Sequence, residues 1–327
     1  MLTNPIRRGI ENAWDQQIRR HYLPGIQFSE PAGDPGWFGP GSPVWYVHEH
    51  IPAVLLGNVA FSVIQSLEPG TMWAAVDHSF GYERINGVPT GKTLPEAFAK
   101  RFGQSLSAFQ GSVFGSTPVA ERATTMVRNM HRKVHGVRPD GLSYDTREAE
   151  FFRWNYATVV WGWARAHEVY HPHPLRGADL DEYYRQYTGI GVELFGEPID
   201  LPASKAEVAK YLEESARSLS LSPPGASLWA LYQTAGKPLK SRPAVGLIQW
   251  VILDLMPDWA LEMFSAPPRS GKVSTAARRA TMRGLLAVAH STTKDFPEIA
   301  DAYRRAQATP AASVAGLDHV EIAEASQ

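Results

Sequence analysis

The segment that most constrains the fold of this chain is 117–136, TPVAERATTMVRNMHRKVHG, because its pattern predicts one helix. Thr117 suits the N-cap, Pro118 suits the first helical position, and Gly136 suits the left-handed turn that closes a helix. Apolar residues recur at steps of three and four and share one face: Val119, Ala123, Val127, Met130 and Val134. His131 lies at the edge of this face. Two interpretations of His131 stay open: a core histidine hydrogen-bonded to a neighbour, or an axial ligand of a metal or haem.

Composition narrows the class of protein. The 327 residues are 44% hydrophobic and 20% charged, which is the balance of a globular protein with ample length for a core. The net charge of −1 does not favour nucleic acid or acidic membranes as partners. The absence of cysteine excludes thiolate catalysis, thiolate-ligated haem, iron–sulfur clusters and disulfides. No apolar run approaches the roughly 18 residues of a membrane span, and the N-terminus lacks a signal-peptide segment, so we expect a cytoplasmic protein without a membrane span.

Periodicity and helix breakers divide the chain into three parts. Residues 1–43 combine a predicted helix over 1–22 with an irregular arm, residues 44–307 form a helical domain, and residues 308–327 form a mobile tail of small residues. No segment alternates as a strand does, so we predict an all-α fold. The domain is predicted to contain helices over 44–65 with a break near Pro52, 71–80, 94–114, 117–136, 148–170, 180–195 and 204–219, and polar loops at 81–92 and 137–144.

Two of these helices begin with a predicted capping box, in which Ser or Thr is followed three residues later by Glu. The boxes are Thr93 with Glu96 and Ser204 with Glu207. Only residues 115–116 separate the helix that begins after Thr93 from the helix that carries His131. We therefore predict that these two helices pack as an antiparallel pair.

The sequence HEVYH at 167–171 matches the H-E-x-x-H pattern of zinc proteases. In that chemistry His167 and His171 would bind zinc from one helix face, and Glu168 would activate a water. Pro172 weighs against this interpretation, because a proline displaces the preceding residue from helical geometry. The alternative is a helix end rich in polar groups. Two further polar clusters could line a pocket or be structural: His48-Glu49-His50 and Asp77-His78-Ser79.

Short blocks over residues 40–215 together resemble the family of latex-clearing protein (rubber oxygenase) and the MpaB-like oxygenases. The blocks have the order and spacing of that family: Gly41 to Trp45, Glu49, Asp77-His78-Ser79, Arg101-Phe102-Gly103-Gln104-Ser105, Val113-Phe114-Gly115, Val127-Arg128-Asn129-Met130-His131, Val134-His135-Gly136, Tyr144, Trp154, Ala157, Tyr183-Tyr184 and Leu201-Pro202. The chain departs from the family at three positions. Ser105 replaces a threonine, Gln104 replaces the lysine of rubber oxygenase, and Tyr156 replaces a frequent histidine.

The resemblance implies a b-type haem (heme b) in a globin-like all-α core, with His131 as the proximal ligand of the iron. It implies that Arg101 and Ser105 are on the distal side. There the guanidinium would stabilise negative charge on bound oxygen or a propionate, and the hydroxyl would donate a hydrogen bond. Gln104 binds haem iron poorly, which implies an open or water-bound iron rather than a lysine-ligated one. Family substrates are often hydrophobic or aromatic, and the Trp and Tyr side chains suit such a pocket or simple core packing.

Three functions remain open from the sequence. The first is a haem b-dependent oxygenase or oxidase that acts on a small hydrophobic or aromatic substrate with dioxygen or peroxide. The second is a non-catalytic haem-binding sensor or carrier. The third is a zinc hydrolase built on His167, Glu168 and His171. A homo-oligomer is compatible with each of them.

Overall fold

Helices account for nearly all the regular structure of this chain. The computed structural model describes residues 5–15, 27–79, 81–86, 88–233, 238–269 and 271–308. The α-helices in these residues are α1 (Pro5–Trp14), α2 (Pro43–His48), α3 (Ile51–Gln65), α4 (Pro69–His78), α5 (Pro95–Phe114), α6 (Thr117–His131), α7 (Ala149–Tyr170), α8 (Ala178–Phe195), α9 (Lys205–Ser215), α10 (Pro223–Leu231), α11 (Arg242–Leu255), α12 (Asp258–Met263), α13 (Lys272–Thr293) and α14 (Pro297–Gln307). Short 3-10 turns span Ala216–Ser218 and Leu239–Ser241. The predicted all-α fold is confirmed.

Two short antiparallel hairpins are the only strands in the described residues: β1 (Tyr82–Ile85) with β2 (Val88–Thr93), and β3 (His135–Val137) with β4 (Ser143–Asp145). The first hairpin and β4 lie mainly in segments for which the sequence predicts polar loops, and β3 begins within the predicted helix over 117–136, so these predictions are wrong. Strands this short do not produce a recognisable alternation of apolar and polar residues. Asn86 and Gly141 adopt positive φ angles of 52° and 87° near the two turns, as tight connections between strands require.

The contact between α3 and α7 forms the centre of the fold. A Cβ atom on Gly57 of α3 would lie 2.8 Å from Trp163 Cα, and one on Gly162 of α7 would lie 2.7 Å from the Gly57 carbonyl oxygen. Only glycine at both positions allows the two backbones to approach this closely. The Trp163 indole N–H donates a hydrogen bond to Asn58 Oδ1 (2.5 Å) across the same contact. Helices α2, α9, α11 and α13 pack around this pair.

The apolar segment 44–65 forms two helices, as predicted. The chain turns at Glu49 and His50, and Pro52 lies in the first turn of α3 rather than at the break. His50 is the N-cap of α3, and its Nδ1 accepts a hydrogen bond from the Ala53 N–H (3.3 Å). A proline is tolerated in this turn because its missing N–H would have had no helical partner.

Helices α5 and α6 pack against each other on either side of a two-residue corner, as predicted. A Cβ atom on Gly115 would lie 2.2 Å from the Gly111 carbonyl oxygen, so only glycine fits this corner. The α5 capping box is wrong, because Leu94 is the N-cap without a side-chain hydrogen bond and Thr93 belongs to β2. The tight corner at Gly115 determines where α5 ends and α6 begins, whereas the start of α5 has no side-chain cap.

The capping box of α9 is confirmed. The Ser204 hydroxyl oxygen accepts a hydrogen bond from the Glu207 N–H (3.2 Å). The Glu207 carboxylate in turn accepts one from the Ala203 N–H (2.7 Å). These bonds satisfy N–H groups that would otherwise have no partner at the start of the helix.

Helix α6 is shorter than the sequence predicts. Thr117 is its first residue rather than its N-cap, and the helix ends at His131, well before Gly136. The Thr146 hydroxyl donates to the carbonyl oxygens of His131 (2.5 Å) and Val134 (3.1 Å), which supports the turn that leads into β3. His131 is therefore the last residue of the helix.

The described residues include only part of the two predicted terminal segments. Helix α1 lies within the predicted N-terminal helix, and residues 27–42 contain no helix or strand. Residues 16–26 and the predicted tail at 309–327 lie outside the described residues. Among the described helices, none alone is long and apolar enough to cross a membrane, although the bent pair of α3 and α4 meets the length and composition criterion.

The buried guanidinium of Arg305 joins α14 to the arm and to the α5–α6 corner. Arg305 is 1% exposed. It donates hydrogen bonds to the carbonyl oxygens of Phe28 (2.7 Å), Asp34 (2.7 Å) and Phe114 (3.0 Å). A further donor reaches the Gly115 carbonyl (3.2 Å). The corner that precedes α6 is thus held by a residue of the last described helix.

We predict that Arg305→Leu lowers the free energy of unfolding by about 3 kcal/mol, because it leaves several buried carbonyl oxygens without donors. Urea denaturation measures this change. The control is Arg304→Ala at the neighbouring exposed position, where we expect a change within about 0.5 kcal/mol. Equal effects of the two substitutions would contradict the assigned role of Arg305.

Candidate functional site

A cavity of about 310 Å³ lies beside His131, and we call it the His131 cavity. Its lining comes from the end of α6, the segment after β4, the start of α7 and the end of α8: Arg128, His131, Arg132, Thr146, Arg147, Phe152, Leu194, Phe195 and Glu197. The His131 side chain is half-buried. Its backbone is fixed by the Thr146 hydroxyl described above, so the imidazole projects from an anchored helix end.

The apolar face of α6 becomes less buried towards the His131 cavity. Ala123 and Thr124 are buried, whereas Val127 and His131 are half-buried. Met130, beside them, is 41% exposed. The apolar face of the helix therefore stays partly open over its last turns, next to an imidazole. Such a face can receive a flat apolar group.

Arg128, Arg132 and Arg147 line the His131 cavity, and two of them are ion-paired: Arg128 with Glu193 (3.8 Å) and Arg147 with Asp145. Arg147 forms an ion pair with Asp145 (Nε to Oδ1, 2.9 Å), and hydrogen bonding from Arg147 holds the pKa of Asp145 below its usual range. Arg128 donates to the Glu193 carbonyl oxygen (2.6 Å). Arg132 has no ion-pair partner among the described residues. A guanidinium binds carboxylates through two parallel hydrogen bonds, so the cavity suits a ligand with carboxylate groups.

The distal residues that the family resemblance implies all belong to α5. Helix α5 packs against α6, the helix that ends at His131. Gln104 and Ser105 are half-buried. The Arg101 side chain lies outside the described residues. The described residues that line the His131 cavity come from α6, α7, α8 and their connections and include none from α5.

Five histidines meet near the other end of α7: His48, His50, His167, His171 and His290, which we call the histidine cluster. The ring centroids of His50 and His290 are 4.4 Å apart, those of His50 and His171 are 4.8 Å apart, and those of His167 and His171 are 4.4 Å apart. At about 1.5 Å of rise per residue, Phe152 and His167 are about 22 Å apart along α7. The histidine cluster is therefore separate from the His131 cavity.

Burial keeps the histidine cluster neutral. It lowers the pKa of His48 and His50 to about 3, that of His167 to about 2 and that of His171 to about 4. It also lowers the pKa of His290, with a contribution from Lys294. The desolvation cost of an imidazolium exceeds that of the neutral ring, so the neutral forms persist at neutral pH.

Backbone donors determine the tautomers of the two histidines in the HEVYH motif. The Nε2 of His167 accepts a hydrogen bond from the Leu175 N–H (2.9 Å), and the Nδ1 of His171 accepts one from the His173 N–H (3.1 Å). A neutral imidazole that accepts at one nitrogen carries its proton on the other. The remaining nitrogen of each ring is therefore protonated, whereas a metal ligand needs a free lone pair there.

The arrangement does not favour the zinc hydrolase. Glu168 forms an ion pair with Lys205 (2.5 Å). His171 is the C-cap of α7 and has an extended backbone with ψ of 138°, which agrees with the predicted effect of Pro172. The part of the chain that the structure describes contains no group of three or more His, Cys, Asp or Glu side chains that could hold a metal ion.

The other two polar clusters make structural hydrogen bonds. Glu49 accepts a hydrogen bond from the Tyr303 hydroxyl (2.7 Å), and burial raises the pKa of Glu49. Asp77 accepts one from the Tyr144 hydroxyl (2.5 Å) and thereby joins α4 to the β3–β4 hairpin. His78 Nε2 contacts the His135 carbonyl oxygen (3.2 Å) in the same region.

Three buried tyrosines form a group that the sequence analysis did not assign: Tyr156, Tyr183 and Tyr187, which we call the tyrosine cluster. Their hydroxyl groups have no hydrogen-bond partner among the described residues. Tyr183 and Tyr187 are one turn apart on α8, a spacing that places both on one face. This four-residue spacing is the only feature of the sequence that could have indicated the cluster. It is not specific, because aromatic residues at helical spacing are also typical of ordinary core packing.

The comparison with protein families gives one match. Residues 45–291 match the family model described as "ER-bound oxygenase mpaB/B'/Rubber oxygenase, catalytic domain". No curated protein and no solved structure matches the chain. The matched range contains the His131 cavity, the tyrosine cluster and the histidine cluster.

We predict that the free energy of unfolding falls as the pH is lowered from 7 to 5. An unfolded histidine has a pKa of about 6.5, so below that value the unfolded chain binds protons that the folded histidine cluster does not bind. Each buried histidine adds at most about 1.4 kcal/mol per pH unit, and the loss continues towards the folded pKa of about 3 for His48. Urea denaturation between pH 5 and pH 7, above the titration of ordinary carboxylates, measures the slope of the free energy of unfolding against pH.

The matched variants for this slope are His48→Phe, which keeps an aromatic ring in the buried position, and His135→Gln at an exposed position. We expect His48→Phe to reduce the slope and His135→Gln to leave it unchanged. An unreduced slope in His48→Phe would show that this imidazole is protonated in the folded protein.

Proposed function

The chain belongs to the mpaB and rubber oxygenase catalytic-domain family, and on this premise we propose that it is a haem b-dependent oxygenase of a small hydrophobic or aromatic substrate. Membership of an oxygenase family supports an oxidoreductase. The haem, its ligand and the residues on its oxygen side are the parts that the proposal adds.

The observation that carries the proposal is the set of groups around the His131 cavity. A b-type haem needs an axial nitrogen, apolar contacts for the macrocycle and cations for its two propionates. The cavity offers an imidazole at His131, aromatic rings at Phe152 and Phe195, and guanidinium groups that include Arg132. The partly exposed apolar end of α6, beside the imidazole, would also contact the haem macrocycle.

The residues of this chain then have separate roles. His131 would hold the iron, and the anchored end of α6 would orient its ring. Arg128 and Arg132 would pair with the propionates, while Phe152 and Phe195 would contact the macrocycle. When bound, a haem supplies the redox chemistry of oxygen or peroxide activation. The protein adds position, charge and the exclusion of water.

The oxygen side of the site is assigned to α5 by the family resemblance. Arg101 would supply a fixed positive charge where negative charge develops, and the Ser105 hydroxyl would donate a hydrogen bond. Gln104 replaces a lysine and is neutral, so it would leave that side open to oxygen and substrate.

We predict that His131→Ala abolishes stoichiometric haem binding, because it removes the axial nitrogen. His135→Ala and His167→Ala serve as controls that remove an exposed and a buried histidine, and both should bind haem normally. Haem content per protein and the Soret band of preparations supplied with haem measure the outcome. A normal Soret band and haem content in His131→Ala would contradict the assigned ligand.

We predict that Arg101→Ala binds haem nearly normally but loses most oxygen-dependent activity. The loss of one preorganised charge typically costs about 3 kcal/mol, or roughly a hundredfold in rate. Arg101→Lys should recover little, because a point ammonium does not reproduce the planar guanidinium. Haem content, melting temperature and oxygen or peroxide consumption are measured on the same preparation. Full activity per haem in Arg101→Ala would reveal a residue that takes no part in the chemistry.

A further inference from the structure

A second cavity, of about 270 Å³, lies between α11 and α13, and we call it the Trp250 cavity. Gly246, Trp250 and Leu253 line it from one face of α11, because residues three and four apart on a helix are neighbours. Pro267 and Pro268 line it from the segment after α12 and are exposed. The cavity therefore has an apolar wall and opens to the surface. It shares no lining residue with the His131 cavity.

A buried ion pair holds together the two helices that form the Trp250 cavity. Asp254, which lines the cavity from α11, is 4% exposed. Its carboxylate pairs with the Arg279 guanidinium of α13 (Nη2 to Oδ1, 2.7 Å; Nε to Oδ2, 2.9 Å). The Tyr170 hydroxyl donates a hydrogen bond to the same carboxylate (3.0 Å). The negative charge of Asp254 is thus compensated within the protein and repels an anion in the cavity less than an unpaired carboxylate would.

Arg269 fixes the exposed rim of the Trp250 cavity, which it also lines. Its Nε donates a hydrogen bond to the Leu253 carbonyl oxygen (2.8 Å), and its other donors reach the Met256 carbonyl oxygen and the Asp258 carboxylate. The two carbonyl groups belong to the C-terminal end of α11, where a positive charge is favourable. Burial lowers the pKa of Arg269, and the charge of Arg165 lowers it further. Two guanidinium groups therefore lie close enough at this rim to repel each other.

Arg278 of α13 adds a further cation to the lining of the Trp250 cavity. Its guanidinium carbon lies 5.9 Å from the centroid of the Trp250 ring. Arg278 makes no hydrogen bond or ion pair with another described residue. A guanidinium over an aromatic face keeps N–H donors at its edge, where they can form two parallel hydrogen bonds with a carboxylate. Arg278 is therefore the group through which this cavity can hold an anion.

We propose that the Trp250 cavity binds a small aromatic carboxylate, whose ring contacts Trp250 and the two prolines and whose carboxylate pairs with Arg278. The apolar wall favours a ligand that carries a ring over a hydrated inorganic ion. A volume of about 270 Å³ accommodates a single substituted ring rather than a long chain. Binding at this site does not depend on the proposed haem, because the two cavities have no residue in common.

Four probes separate the contributions of ring and charge on the full-length protein as purified: benzoate, benzyl alcohol, acetate and inorganic phosphate. Isothermal titration measures their affinities. Benzoate should bind at least tenfold more tightly than each of the others, because benzyl alcohol lacks the charge and acetate and phosphate lack the ring. Equal binding of acetate or phosphate would show recognition of charge alone, and equal binding of benzyl alcohol would show recognition of the ring alone. Either result, or no binding of benzoate, would overturn the proposal.

Arg278→Gln removes the charge at an exposed position and keeps a polar side chain. It should weaken benzoate binding at least tenfold, as the loss of a charge-assisted hydrogen bond does, and leave the melting temperature unchanged. The matched control is Arg217→Gln, which removes the charge of an exposed arginine outside the cavity and should bind benzoate normally. Equal weakening by the two substitutions would show that only the overall charge matters and would contradict the assigned role of Arg278.

A third variant tests the location of the ligand. Arg132→Gln neutralises an arginine of the His131 cavity and should bind benzoate normally. Loss of benzoate binding in Arg132→Gln instead of in Arg278→Gln would place the ligand in the His131 cavity and overturn the proposal. Haem content separates this site from the proposed function. A protein that binds benzoate through Arg278 but never binds haem refutes only the proposed function, whereas one that binds haem but no benzoate refutes only the Trp250 site.

Discussion

The close contact of α3 and α7 at Gly57 and Gly162 is the constraint on which the rest of the structure depends. Because neither glycine carries a Cβ atom, the two backbones approach to a distance that no other residue permits. The Trp163 indole and the Asn58 amide then satisfy each other inside this contact. Such packing fixes the rotation of α7 about its axis, and this rotation determines which side chains face each neighbouring helix.

The fixed rotation of α7 explains why one helix serves two chemically different regions. Near its start Phe152 lines the His131 cavity, and the ring of Tyr156 packs against α8 at Gly191. Near its end His167 and His171 join His50 and His290 in a buried, neutral group. There the backbone N–H groups of Leu175 and His173 donate to the imidazoles of His167 and His171, which stabilises the turn that follows α7.

Local patterns in the sequence predict much of this fold, and long-range packing determines the rest. The helices and the α5–α6 pair follow from periodicity and from the two-residue corner at 115–116. The early end of α6 does not, because it depends on Thr146, which reaches His131 only after the β3–β4 hairpin forms. The HEVYH motif gives the positions of His167 and His171, but their tautomers depend on the N–H groups of Leu175 and His173.

The unpaired hydroxyls of the tyrosine cluster have a consequence for the amount of protein in a cell. A ligand that binds only the folded state raises its stability in proportion to the logarithm of ligand concentration. Tyr156, Tyr183 and Tyr187 bury hydroxyl groups that have no partner among the described residues, which lowers the stability of the folded chain. Proteases remove unfolded chains continuously, so a ligand of the folded protein would also raise its steady-state level.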